Sequence, residues 1–471
     1  MKAAAMASPL NGAPVRPVAP RTKLLLEAPI LQALLRLAAP NVLNLLAFVG
    51  LITFDGVFVG RLGPDALAGI SLVFPWVMLM QHGAASGMGG AVSSAVARAL
   101  GAGDQQRANA LVTHAVWLAL MLSAFFSCLM LLAGPHIYRW MGGHGAILEA
   151  ALAYSQVAFG GALSIWMLNL LCNVVRGTGN MALPATVIVV CVLGHIVISP
   201  ALIFGLGPVP ALGPAGAGWG LVTSFGAGSL FLLAHLRGAG SLVMLSFRGV
   251  RFQWALLGEF FRVGVPGMLN VAITNLTVIA LTGVAGHLGR DAAIAYAMGA
   301  RLEYIIIPLG FGIGTGIVAL VGTNWGAKQY ARARVIAWSG GAVAAAFCGA
   351  VGLFFALFPR LWMSIFTADE EIIRIGVSYL RIVGPAYALY GFGIGLYFAC
   401  QGYGKLVLAV AANAIRLLVA AGGGFIAVFW LEAGTAGIFA AIALGFAAYA
   451  GLTGIALSRI GAASRTNGGK P

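Results

Sequence analysis

Apolar runs longer than about 18 residues recur from one end of this chain to the other, and that property leaves few folds open. A run of that length crosses the hydrocarbon of a bilayer as a helix. Inside a bilayer the backbone must satisfy its own hydrogen bonds, which leaves helices or a closed barrel. The runs lack the period-two alternation of barrel strands, so helices are expected. The composition agrees: 61% of residues are hydrophobic and 8% charged, against roughly 25% charged in soluble domains. A soluble helical-repeat protein would need polar outer faces that these runs lack.

Twelve spans are expected, the first at 34–59 and the last at 437–457. Basic residues alternate between the loops. One side holds the N-terminal tail with Arg98, Arg107, Arg176, Arg237, Arg248, Arg251, Lys328, Arg332, Arg334, Lys405, Arg459, Arg465 and Lys470; the other holds Arg61, Arg139, Arg290 and Arg360. This bias puts both termini of a multi-pass membrane protein in the cytoplasm. It also explains the net charge of +15 by membrane orientation, so no nucleic-acid partner is expected. The five cysteines sit in apolar runs without pairing or CxxC spacing and read as small buried hydrophobes.

The chain repeats itself. The segment Gly60-Arg61-Leu62-Gly63-Pro64-Asp65-Ala66 resembles Gly286-His287-Leu288-Gly289-Arg290-Asp291-Ala292, 226 residues later, and Pro40 and Pro266 share that offset. Gly101-Ala102 with Arg107 matches Gly326-Ala327 with Arg332, and Gly177 and Gly179 match Gly402 and Gly404, at 225. Six spans per repeat is an even number, so the halves share one orientation, with a cavity between them. The expected fold is an all-α integral membrane protein of twelve transmembrane helices in two six-helix lobes. A tail (1–29), an N-terminal lobe (30–237), a cytoplasmic linker (238–253), a C-terminal lobe (254–458) and a second tail (459–471) follow in order.

Of twelve acids, two lie clearly inside spans, Asp55 and Glu303. A membrane carboxylate costs several kcal/mol unless it is paired, hydrated or protonated, which makes it a functional hypothesis by default. Asp55 has no basic residue in its span nearer than Arg61, and the repeat places Leu281 opposite it. Ion coupling is weighed there against a structural hydrogen bond. Glu303 is two residues from Arg301, with Arg381 and Arg416 in neighbouring spans; a lobe-stabilising charge cluster and a transport role are both open. No GxxxxGK[ST], HExxH or GxSxG occurs, so neither direct ATP drive nor an intramembrane enzyme is expected, and no cofactor.

Pro40 followed fifteen residues later by Asp55 in Phe54-Asp55-Gly56-Val57-Phe58-Val59-Gly60-Arg61-Leu62-Gly63 resembles the first helix of the MATE (multidrug and toxic compound extrusion) family. Gly101-Ala102-Gly103-Asp104, Arg176-Gly177-Thr178-Gly179-Asn180, Val321-Gly322-Thr323-Asn324-Trp325-Gly326-Ala327 and Gln401-Gly402-Tyr403-Gly404 resemble its loop signatures, over about residues 30–458. The resemblance implies antiport, with a proton or sodium gradient driving export of amphipathic, often cationic, organic compounds.

By the same resemblance, Asp55 matches the first-helix acid and Pro40 a helix-bending proline. A proline inside a span frees a backbone carbonyl and permits a bend. Tyr154, Asn169 and Thr223 fall where some members place polar partners of that acid. His195 and Ser199 stand where such members carry Asn and Asp on the fifth helix; Thr274 and Tyr390 replace acids of the sodium-type members. His195 is either a neutral hydrogen-bonded core residue or a proton relay to Asp55, since a free imidazole titrates near pH 6.5. The expectation is a monomeric exporter coupled to protons in preference to sodium. A lipid-linked precursor flippase, gripping pyrophosphate through Arg301, Arg381 and Arg416, is the alternative.

Overall fold

The computed structural model describes residues 20–206, 210–238, 240–247 and 251–467. Residues 1–19 of the expected tail, Arg248 and Lys470 lie outside them. The N-terminal half runs α1 (Pro20–Glu27), α2 (Ile30–Gly60), α3 (Pro64–His82), a π-helical segment (Gly83–Met88), α4 (Gly89–Gly101), α5 (Gln105–Trp140), α6 (Gly145–Gly160), α7 (Ala162–Gly177), α8 (Ala182–Phe204) and α9 (Pro214–Arg237). The C-terminal half runs α10 (Trp254–His287), α11 (Arg290–Ala300), α12 (Glu303–Gly326), α13 (Tyr330–Leu357), α14 (Pro359–Met363), α15 (Glu370–Gly402), α16 (Val407–Leu417), a second π segment (Leu418–Gly422), α17 (Gly423–Phe429) and α18 (Gly434–Asn467).

The protein is an all-helical membrane protein. Among the described residues ten helical stretches are long and apolar enough to cross a bilayer, and an eleventh if α6 and α7, bent by 47°, count as one crossing. The first expected span falls within α2, which is 31 residues long. The repeat has a backbone cause. Gly63 (φ 115°) and Gly289 (φ 112°) precede α3 and α11 in matching turns, and Gly179 (φ 82°) and Gly404 (φ 74°) form a second matched pair. Those angles suit glycine because it has no Cβ.

Two hydrophobic cores form, one per lobe, and they exchange helix ends. Ala33, Leu34, Leu37 and Ala38, at the start of α2, belong to the C-terminal core, while Leu51 and Val59 of the same helix belong to the N-terminal core. In α10, Leu256, Leu257 and Phe260 pack in the N-terminal core, and Leu281 and Ala285 in the C-terminal one. Pro40 and Pro266, each inside its helix, mark the crossover regions.

Inter-lobe contacts gather on the side of the basic loops. A Cβ built on Gly267 would stand 2.8 Å from Gly87 Cα, and one on Gly322 2.9 Å from Ala97 Cβ. One on Gly101 would meet the Thr323 carbonyl, and one on Gly326 the Arg98 carbonyl. Small residues thus let the lobes touch backbone to backbone. The tails are more structured than expected. Leu25 of α1 is buried, its carbonyl accepts from Asn324 Nδ2 at 3.0 Å, and α18 runs on to Asn467.

Candidate functional site

The second half of α2 packs on α8, and α8 on α9. Gly220 of α9 sets the last approach: a Cβ there would stand 2.9 Å from Ser199 Cα and 3.3 Å from His195 Cε1. Gly216, one turn earlier, lies equally close to α8, 2.6 Å from Ile203 N by the same measure. This packing presses His195 toward α2, where its Nε2 lies 2.6 Å from Asp55 Oδ1. The imidazole is fully buried, whereas the Asp55 side chain is 31% exposed. One end of the pair is therefore open and the other sealed. If the acid is ionised, the imidazole N–H donates; if it is protonated, its O–H donates to a bare Nε2. The same short contact survives with the proton on either partner, as a proton-exchanging site requires.

The other anticipated N-lobe residues divide. Tyr154 is buried on α6. Ser199, one turn along α8 from His195, is fully buried, and neither its hydroxyl nor His195 Nδ1 has a hydrogen-bond partner among the described residues. Asn169 turns elsewhere, donating to Gln81 Oε1 at 3.3 Å and to Ile165 O at 2.9 Å. Thr223 is exposed and donates to Trp219 O of its own helix at 2.7 Å. Those bonds commit both side chains elsewhere than Asp55. In the C-lobe the counterpart of Asp55 is Leu281, which lies 3.6 Å from a Cβ built on Gly424.

The C-lobe charges do not gather as expected. Arg301 is exposed and lies over the Phe366 ring at 5.1 Å; Arg381 is also exposed. Glu303 is buried and accepts from the Tyr379 hydroxyl, which lies 3.0 Å from that of Tyr387. Residues two apart on a helix do not face each other, and a break between α11 and α12 separates Arg301 from Glu303. Arg416 alone of the three arginines is buried, and its nearest polar partners are neutral: Asn413 Oδ1 at 2.7 Å and Thr277 Oγ1 at 3.3 Å. Thr274 and Tyr390 both adjoin this cluster, through Asn413 and through a ring 5.3 Å from the guanidinium carbon.

Sequence reasoning missed the lobe seam. Glu259, in the second turn of α10, joins Arg98 at 2.7 Å and Arg107 at 2.8 Å. Arg98 also donates to Gly402 O at 3.0 Å, and Gln401 donates to Ser86 O at 3.0 Å. Asn41, next to Pro40, donates to Gly312 O at 2.9 Å and to Thr315 Oγ1 at 2.8 Å across the seam. Arg176, taken as a loop cation, is buried, and Asn44, with its amide oriented to suit its neighbours, accepts from its Nη2 at 3.1 Å. These partners lie up to 315 residues apart in the chain, beyond the reach of local pattern.

Comparison with known proteins is consistent with this architecture. The MatE family model matches residues 40–201 and 266–426. A protein of Shewanella oneidensis named FAD transporter is 25% identical over 84% of this chain and 87% of its own length. A Thermotoga maritima protein named probable multidrug resistance protein NorM is 27% identical over 75% of this chain and 76% of its own. A solved structure described as MATE in the bent conformation superposes with a TM-score of 0.89, at 25% identity, covering 96% of this chain and all of that one.

Proposed function

This chain belongs to the MATE family of membrane transporters, and on that premise we propose that it is a proton-driven antiporter that exports amphipathic organic compounds through the Asp55–His195 pair. It is a transporter and not an enzyme. The observation that carries the coupling is the 2.6 Å contact between a part-exposed carboxylate and a buried imidazole. External protons reach the exposed acid, and the pair then holds one proton more. Gain of that proton changes the charge of the pair that ties α8 to the second half of α2, which moves about Pro40 and releases cargo. Proton loss toward the cytoplasm, where we place both termini, resets the helix.

Contacts gathered on the basic side support an outward-facing state of this cycle. The cargo follows from the resemblance and from the relatives' names: multidrug compounds, often cationic, or a flavin dinucleotide. The flippase alternative loses ground because Arg301 and Arg381 are exposed and do not converge with Arg416. The test is transport of ethidium and of FAD in proteoliposomes under an imposed pH or sodium gradient. Asp55→Asn should bind cargo and fail to move it. Unimpaired gradient-driven transport by that variant, or drive by sodium alone, sinks the proposal.

A further inference from the structure

Resting on the export function proposed above, we propose that the C-lobe wall of the inter-lobe cleft binds an anionic acceptor group of the cargo, a phosphate or carboxylate, at Asn270. The buried Arg416 acts through Asn413 as its positioning residue. Arg416 is 3% exposed and lies 5.3 Å from the Tyr390 ring and 5.9 Å from the Phe446 ring. Its Nε donates to Asn413 Oδ1 at 2.7 Å. The Asn413 amide nitrogen in turn donates to Asn270 Oδ1 at 2.8 Å, Thr274 Oγ1 at 3.1 Å and Asn270 O at 3.2 Å. With Asn270 Oδ1 so occupied, its remaining polar atom is an NH₂ group, a donor only. Every bond in this chain runs outward from the guanidinium, and bonds in one sense polarise one another.

The relay of bonds ends on α10. Asn270 and Thr274 are half-buried, and on a helix of 3.6 residues per turn they lie on the opposite side of α10 from exposed Val265, Leu269, Leu276 and Ile279. Gly267, one turn before Asn270, is where α10 touches Gly87 of the N-lobe, so Asn270 stands just past the closed seam. The acid facing the cluster, Glu303 of α12, accepts from Tyr379 and lies within electrostatic reach of Arg416, without a direct hydrogen bond to it among the described residues. A π segment, often found at functional sites, follows immediately after α16. A guanidinium whose direct hydrogen-bond partners are all neutral still presents positive charge to a negative group at the nearest donor.

Riboflavin and FMN differ by one phosphate and serve as probes, with the full chain in phosphatidylcholine nanodiscs so that no lipid supplies an anionic headgroup. FMN should bind at least tenfold more tightly than riboflavin, and inorganic phosphate should compete with FMN alone. Asn270→Leu and Arg416→Gln should each reduce FMN affinity to that of riboflavin while riboflavin binding, the check on folding, holds. If Arg416→Gln does not fold, Asn270→Leu at its half-buried position decides. Asp55→Asn should keep the FMN preference while losing pH-driven transport, which separates this site from the coupling reaction. Equal affinity for the two flavins, no FMN binding, or a preference that survives Asn270→Leu overturns the proposal.

Discussion

Pro40 and Pro266, 226 residues apart in sequence, stand at the same point of two helices, where each passes from one lobe's core into the other's. A proline in a helix removes one i→i−4 bond and softens the helix there. Each proline thus sits where a helix can follow either lobe without breaking. Asn41, one residue on, ties that point to Gly312 and Thr315 of the opposite lobe.

Restoring the bond should stiffen the crossover. Pro40→Ala is expected to raise the thermal transition of the purified protein and to lower pH-driven export at least tenfold. Adding Pro266→Ala should lower export further. A stabilised variant with wild-type turnover contradicts a moving role for the prolines.

Glu259 joins two arginines of the other lobe, with side-chain exposures of 16% and 50% for Arg98 and Arg107 against 22% for Glu259 itself. Glu259→Gln leaves the half-buried Arg98 without its charge partner, at a cost of about 1–3 kcal/mol. A cysteine at Ala97, buried in this seam, should then label with maleimide severalfold faster in a background without native cysteines. An unchanged labelling rate means the ion pairs do not hold the seam shut.

Gly220 and Gly226 lie on the same helix in different surroundings. A Cβ at Gly220 would press on Ser199 and His195, whereas one at Gly226 meets its nearest atom at 3.9 Å. Gly220→Ala should force α8 and α9 apart, destabilise the protein by about 1–3 kcal/mol and slow proton-coupled export. Gly226→Ala should leave both near wild type. The comparison is made by calorimetry and by proton release into pyranine-loaded vesicles.

His195→Gln keeps a hydrogen-bonding group beside Asp55 and removes the titrating ring. Wild-type export should rise as the outside is acidified, because protonation of the pair starts the cycle. In the variant that dependence should flatten and the rate fall at least tenfold, with equilibrium binding of cargo retained. A pH profile superposable on wild type assigns His195 to packing alone.

The fold was legible because apolar length dictates spans and because the repeat's turns need glycine at Gly63, Gly289, Gly179 and Gly404. Asp55 was legible as an acid without a local partner. Its neighbour His195 was reached only through family resemblance, since nothing in the sequence of α8 says which helix it faces. The Arg301–Glu303 expectation failed because nearness in sequence is not nearness on a helix broken between them. Glu259, Asn41 and Arg176 were passed over because their partners are set by tertiary packing.

With Leu281 where a second acid would stand, the N-lobe pair fixes how much charge one cycle can exchange. Asp55 and His195 together carry at most two titrating protons. Swapping one proton for a singly charged cation is electrically silent, so such export would follow the pH difference and ignore the voltage. Exporting a phosphate-bearing cargo in exchange for a proton instead moves net charge, and each elementary charge crossing 100 mV is worth about 2.3 kcal/mol. The same pair would then make transport sensitive to membrane potential, and measuring that sensitivity reveals the sign of the cargo.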